Sequence, residues 1–254
     1  MRYATGVERR RYHVDADDPR APAQALWDRM SEAERCDVLA ALPSEILRAA
    51  PPEGDKHQIP KERSKLTLKE YYRRRGRTVY VGSELPVYYP EKSMFAPDLI
   101  VVLDVEDHPR DHWVVSQEKR GLDFVLEIHV KGDRKKDYET NVERYARLGI
   151  PEYFLYDPPA RRVLGYRLVR GSYEPIVPQA GAWRSSVLDL DISLEGGRLQ
   201  FAQPGGGVLL DPSEWIDRLR RMVDEAVARA DEQERINEKL AAKLRELGID
   251  PDEL

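Results

Sequence analysis

Apolar positions change their period along the chain, and the changes mark its elements. In SEAERCDVLAALP, Val38, Leu39 and Leu42 recur at helical spacing, and Ser31 with Glu34 has the spacing of a capping box. Short helices are expected over residues 22–49, ended by Pro51-Pro52 and Gly54. A further helix is expected from about Pro60 to Arg75, with Leu66, Leu68, Tyr71 and Tyr72 as its apolar members. Short apolar runs bounded by Gly, Pro or Asp then read as buried strands: TVYVG (78–82), LPVYY (85–89), PDLIVVLDV (97–105) and DFVLEIHV (123–130). DRKKDYETNVERYARLGI reads as a helix ending near Gly149. EYFLYDP, RRVLGYRLV and SYEPIVP read as three more strands, and residues 180–210 as further strand and turn.

From Asp211 the pattern becomes one unbroken helix of about 35 residues, with Pro near its start and Gly248 at its end. Trp215, Leu219, Met222, Val223 and Ala226 form one apolar seam, Ile236, Leu240, Leu244 and Leu247 another, and polar RADEQER separates them. A coiled coil joining two copies through residues 211–247 is expected. The division is then a helical N-terminal segment (1–52), a central domain (53–204) and the long C-terminal helix (205–254). No run approaches the roughly 18 apolar residues of a membrane helix. The start, MRYATGVERRRYHVDADD, does not read as a secretory signal, and a cytoplasmic location is expected. Cys36 is the only cysteine, which excludes an internal disulfide and a cysteine-rich zinc site, and it is expected to be a small buried side chain.

Charge is unevenly spread. There are 41 Lys and Arg against 46 Asp and Glu, a net charge of −5. Eight of the bases and 13 of the acids follow residue 210, so the whole imbalance belongs to the C-terminal helix and does not argue against nucleic acid as a partner. Two stretches are basic: residues 61–77, with eight bases and two acids, and KGDRKK at 131–136, with four bases and one acid. Each is either a solvated face or a wall that attracts phosphates, with Arg73, Arg74, Lys135 and Lys136 as the phosphate candidates.

Two acids stand where an acid is costly. Asp98 opens an apolar strand directly after Pro97, and Glu127 lies inside DFVLEIHV. A carboxylate in a buried strand must be paired, hydrogen-bonded or bound to a metal. Two on neighbouring strands could hold one hard divalent cation, Mg²⁺ or Mn²⁺, and the competing reading is a salt bridge to one of the many arginines. No other chemistry competes: the chain has no G-x-S-x-G, no P-loop and no H-E-x-x-H, and GGG at 205–207 reads as a loop.

FAPDLIVV, a linker with Arg110 and Trp113, FVLEI, a basic helix, YARLGIPEYFLYDP and RRVLGYRLV follow one another over about residues 55–200. The order and spacing of Pro97-Asp98, Glu127, Tyr145, Gly149, Glu152-Tyr153 and Asp157-Pro158 resemble the Uma-two family of restriction-endonuclease-like proteins, a branch of the PD-(D/E)XK nuclease superfamily. The resemblance implies an α/β fold: a restriction-endonuclease-like mixed β-sheet core flanked by helices, here with a helical N-terminal segment and a long C-terminal helix. It implies Mg²⁺-dependent cleavage of DNA, with Asp98 and Glu127 as metal ligands. Such nucleases carry a lysine two residues after the second acid, where this chain has His129, and many Uma-two members place it instead on the next helix, where this chain has Asn141. With both positions vacant, residues of one strand face are candidates: His129 as base or ligand, and Lys131 if the strand continues to Gly132. Lys135 and Lys136 could swing in from the helix start. Asp137 and Asn141, four apart on a helix, could line the site or brace the helix. Asp55 and His57 form a second-tier pair, and a further acid could come from Glu53, Asp55, Glu62 or Glu70. Tyr145, Tyr153 and Tyr156 read as core aromatics. The alternative to a nuclease is a catalytically silent nuclease fold that binds DNA or a protein partner.

Overall fold

The computed structural model describes residues 12–45 and 54–247. Pro51-Pro52, Glu53 and Gly248 lie outside them. The chain forms two compact units, Met1–Leu209 and Leu210–Leu254.

Among the described residues, the first helices of the first unit are α1 (Gln24–Trp27) and α2 (Glu32–Ala41). The capping box at Ser31 and Glu34 closes the start of α2 as its spacing predicts. Val38 and Leu42 pack with Val14, Ala21 and Trp27 onto Tyr88 and Val114 of the following body. Cys36 is exposed, against expectation. It stands two residues from Val38, about 200° around a helix, and so faces away from that cluster.

Helix α3 (Asp55–Arg74) starts five residues before the expected Pro60, which lies inside it. Strands β1 (Val79–Gly82), β2 (Val87–Tyr88), β3 (Leu99–Leu103) and β4 (Trp113–Val114) follow, then α4 (Val115–Glu118) and β5 (Phe124–Ile128). One π-helical turn (Lys136–Thr140) leads into α5 (Asn141–Arg147), and β6 (Glu152–Asp157), β7 (Arg162–Val169), β8 (Ser172–Pro175), β9 (Ala182–Ser185), β10 (Leu190–Glu195) and β11 (Arg198–Ala202) complete the unit. The main sheet is six-stranded and mixed, in the order β1-β3-β5-β6-β7-β8, with β5 and β6 parallel and the other neighbours antiparallel. Strands β9, β10 and β11 form a three-stranded sheet, and β2 and β4 a parallel pair.

Both faces of the main sheet are covered, which is why its strands read as unbroken apolar runs. On one face Leu99, Val101, Phe124, Leu126 and Ile128 meet Leu68, Tyr71 and Tyr72 of α3 and Leu190, Ile192 and Phe201 of the small sheet. On the other, Ile100, Val102, Val125, Tyr153 and Leu155 meet Trp113, Tyr145 and Ile150. Side chains alternate with period two, so Asp98 and Glu127 fall on the second face, under α5.

The second unit is helix α6 (Pro212–Glu246), 35 residues long, with Asp211 and Glu214 forming a capping box around Pro212. None of its residues is buried. Among the described residues, no helix is long and apolar enough to cross a membrane.

Candidate metal centre

The register of the sheet brings the acids together. In the β3–β5 pair Leu99 lies opposite Leu126 and Ile100 opposite Val125, so one step further places Asp98 opposite Glu127. The Asp98 N–H donates to Glu127 Oε2 at 3.3 Å, and the Ile128 N–H donates to Asp98 Oδ2 at 2.7 Å. In the β1–β3 pair Gly82 lies opposite Ile100, and continuing that register sets Glu84 opposite Asp98. Glu84 sits in the turn after β1 with φ +51°, and its N–H donates to Pro97 O at 3.0 Å. Three carboxylates thus stand side by side at the ends of three neighbouring chain segments.

Helix α3 reaches the same place. His57 is buried and its Nε2 donates to Asp98 Oδ2 at 3.0 Å. One turn on, buried Lys61 donates from Nζ to Glu84 Oε1 at 2.6 Å. One ligand atom from each of His57, Glu84 and Asp98 lies within 4.8 Å of the other two. Among the described residues, the acid that joins His57 and Asp98 in this cluster is Glu84, from the turn after β1. Asp55 is exposed in the first turn of α3, where it faces the positive end of the helix dipole, and Glu62 is exposed.

Glu127 is held from the α5 side. Its Oε1 accepts from the Tyr145 hydroxyl at 2.5 Å and from Asn141 Nδ2 at 3.3 Å. Asn141 Nδ2 also donates to Asp137 Oδ1 at 3.2 Å, and Asp137 Oδ2 accepts from His129 Nδ1 at 2.8 Å. The two vacant lysine positions are thus filled by His129 and Asn141, joined through Asp137 to the second acid. Burial pushes the Glu127 carboxyl well above the usual carboxylate range, the neighbouring Asp98 pushes it further, and the Tyr145 hydrogen bond and Lys136 oppose the shift. Burial, and then the charge of Glu127, raise the Tyr145 phenol well above its ordinary value. Two opposed carboxylates, one of them driven toward its neutral form, make a site whose charged state needs a cation. The oxygens and the one imidazole nitrogen fit a divalent ion.

The remaining basic candidates separate. Strand β5 ends at Ile128, so Lys131 does not share its face with Glu127 but stands exposed in the bend that follows. Lys135 and Lys136 are exposed at the start of the π-helical turn, and Lys136 is the lysine whose charge acts on Glu127. Arg134 lies 4.4 Å over the Tyr138 ring. Arg73 and Arg74 stand at the far end of α3, roughly 24 Å along the helix from His57. Both bind Glu70, at 2.7 and 2.6 Å, and hold its carboxyl down to about 2. Lys69 pairs with Asp107 and Arg77 with Asp104, so much of the basic stretch is matched by the protein's own acids.

Tyr145, Tyr153 and Tyr156 are buried as expected, and each hydroxyl also makes a hydrogen bond. Tyr145 donates to Glu127, Tyr153 to Asp137 O at 2.8 Å and Tyr156 to Gly197 O at 2.6 Å. Glu152 is fully buried and structural: it accepts from Ser185, Ser186 and Arg167. Glu84 and Lys61 carry no signal in isolation; the i, i+4 spacing of His57 and Lys61 is the trace the sequence holds.

Residues 28–199 match the Uma2 family, described as "Putative restriction endonuclease". Among solved structures, the chain is similar to the "crystal structure of a putative nuclease belonging to DUF820 from Anabaena variabilis ATCC 29413", at 17% identity and a TM-score of 0.41, over 53% of this chain and 77% of that one. No curated protein matches the chain.

Proposed function

The chain belongs to the Uma2 restriction-endonuclease family, and from that premise we propose that it hydrolyses phosphodiester bonds of DNA with a divalent cation, Mg²⁺ or Mn²⁺, held by Asp98 and Glu127. One observation carries the reading: two buried carboxylates face each other across adjacent antiparallel strands. Like charges opposed in this way destabilise a sheet unless a cation or proton lies between them. When bound, the cation supplies Lewis-acid stabilisation of charge on the phosphate and lowers the pKa of a coordinated water.

The protein's own groups divide the remaining work. Tyr145 and Asn141 fix the Glu127 carboxylate, and the Ile128 N–H and His57 fix Asp98. His129, with its Nδ1 proton engaged by Asp137, keeps Nε2 as the lone-pair side of the ring, suited to orienting or deprotonating an attacking water. Lys131, Lys135 and Lys136, exposed around the same bend, suit contacts with DNA phosphates. The test is cleavage of plasmid and short duplex DNA with Mg²⁺ or Mn²⁺. Activity is expected in the wild type and absent in Asp98→Ala and Glu127→Ala. Cleavage that survives Asp98→Ala assigns the activity to another site and refutes the reading.

The partner proposed for α6 is a second copy of itself. Ile216, Leu219, Val223, Ala226, Ala230, Gln233, Asn237, Leu240, Leu244 and Leu247 keep an unbroken alternation of three and four residues. The interruption seen in the sequence is then a polar layer in which Gln233 Nε2 donates to Asn237 Oδ1 at 3.0 Å. In a parallel pair Arg229 would face Glu234 of the second copy across the seam.

A further inference from the structure

We propose that His57 and Glu84 join Asp98 as direct ligands of the cation, and that this nitrogen-containing set makes the centre selective for first-row transition ions, with Mn²⁺ the probe of choice, over Mg²⁺. The inference rests on the metal-dependent reading above and deepens it. Two acids alone form an all-oxygen set that gives Mg²⁺ no disadvantage. An imidazole changes that, because nitrogen ligands suit Mn²⁺, Fe²⁺, Co²⁺ and Zn²⁺ better than the hard, reluctantly dehydrated Mg²⁺.

The geometry supports the assignment from three elements. His57 comes from the first turn of α3, Glu84 from the turn after β1, and Asp98 from the residue before β3. Their ligand atoms lie within 4.8 Å of one another, close to the span of an ion's ligand shell with bonds of about 2.1 Å. His57 Nε2 lies 3.0 Å from Asp98 Oδ2, and with the ring proton moved to Nδ1 the same nitrogen would present its lone pair to an ion shared with that carboxylate. Glu84 is held beside Asp98 by its N–H bond to Pro97 O. A protein cation sits at this cluster as well: Lys61 Nζ is 2.6 Å from Glu84 Oε1, and its side chain is only 7% exposed. A buried ammonium is costly unless it meets a strong anion, which marks the cluster as a place where positive charge is favoured. The rival account is that the His57–Asp98 and Lys61–Glu84 contacts only fasten α3 to the sheet edge.

The deciding measurement is pulsed EPR of Mn²⁺ bound to the full chain, with calorimetric titrations of Mn²⁺ and Mg²⁺ beside it. Coupling of the Mn²⁺ electron spin to an imidazole nitrogen is expected in the wild type and lost in His57→Gln. Mn²⁺ affinity should fall about tenfold or more in His57→Gln and in Glu84→Gln, with the preference over Mg²⁺ reduced in the first. Thermal melting of both variants checks that they fold, and the wild-type spectrum needs no variant at all. Bound Mn²⁺ without nitrogen coupling, or coupling that persists in His57→Gln, overturns the proposal even if DNA is cleaved. Coupling through His57 in a protein that cleaves no DNA upholds the site and sinks the nuclease reading alone. A wild type that binds Mg²⁺ but no Mn²⁺ overturns this proposal alone, and one that binds neither ion overturns both.

Discussion

Tyr145→Phe isolates one link of the centre. The substitution removes a single oxygen from a side chain that is 1% exposed and leaves its ring against Phe95 and Tyr153, at centroid distances of 5.6 and 5.1 Å. No cavity larger than a hydroxyl is made. What is lost is the 2.5 Å hydrogen bond to Glu127 Oε1, which then keeps only Asn141 at 3.3 Å. Such a bond contributes about 1 kcal/mol when both partners are neutral and about 1.5–3 kcal/mol when one is charged. Burial and Asp98 push Glu127 toward its neutral form without metal, so the metal-free loss belongs near the lower figure and the metal-bound loss near the upper. For a protein of this size about 2 kcal/mol lowers Tm by roughly 4–8 °C. Melting followed by circular dichroism, in EDTA and then in Mn²⁺, should therefore show a larger loss of Tm with metal than without. Calorimetry should show Mn²⁺ binding weakened about tenfold, as when an outer partner of a metal ligand is removed. Equal melting temperatures for variant and wild type in both buffers would refute the argument that this hydroxyl braces a ligand.

Three further outcomes test the fold around the centre. Glu152→Ala strips the acceptor from Ser185, Ser186 and Arg167 at a fully buried position and should cost about 3–5 kcal/mol in urea unfolding, with Mn²⁺ affinity of the folded protein unchanged. Gly165 lies opposite Phe154 on β6, and a Cβ there would stand 2.8 Å from the Phe154 ring, so Gly165→Ala should cost about 1–3 kcal/mol by the same assay; a neutral result would mean the ring can move aside. Ending the chain at Leu209 should convert a dimer to a monomer in light scattering, and a shortened protein that stays dimeric would place the contact in the first unit.

How much the sequence reveals depends on where each constraint acts. The strands of the main sheet are legible because both faces are covered, which leaves apolar runs such as LIVVL and FVLEI and makes a carboxylate among them conspicuous. Helix α6 is legible to within a residue or two because its capping box and Pro212 are local signals. Pro60 misleads: it reads as a helix start, yet α3 runs through it and reaches back to His57. The π-helical turn and the two-residue strands β2 and β4 have too few residues to show a period. Glu84 is invisible for a different reason. It is a half-exposed acid in a turn, and only the register of β1 on β3 gives it Asp98 as a neighbour. Lys131 fails in the reverse sense: alternation relates 127 to 129, but the strand ends before it can reach 131.

The vacant lysine positions bear on the choice between a nuclease and a silent binding module. His129, Asp137, Asn141 and Tyr145 form one hydrogen-bonded chain that ends on Glu127, and it contains no ammonium. It braces a carboxylate that burial and Asp98 both disfavour, so it stabilises the strained group instead of neutralising it. Among the described residues, positive charge reaches the centre from outside these four groups: Lys136 acts on Glu127 from an exposed position, and Lys61 is engaged by Glu84. A fold used only for binding surfaces has no need of two opposed buried acids, since apolar residues of similar volume in such places are often neutral or stabilising by about 1–4 kcal/mol. Glu84, Asp98 and Glu127 in a row, with His57 beside the middle one, therefore favour the proposed nuclease reading over the silent binding module. Under the proposed function, the cation would supply at this centre the positive charge that neither lysine position provides.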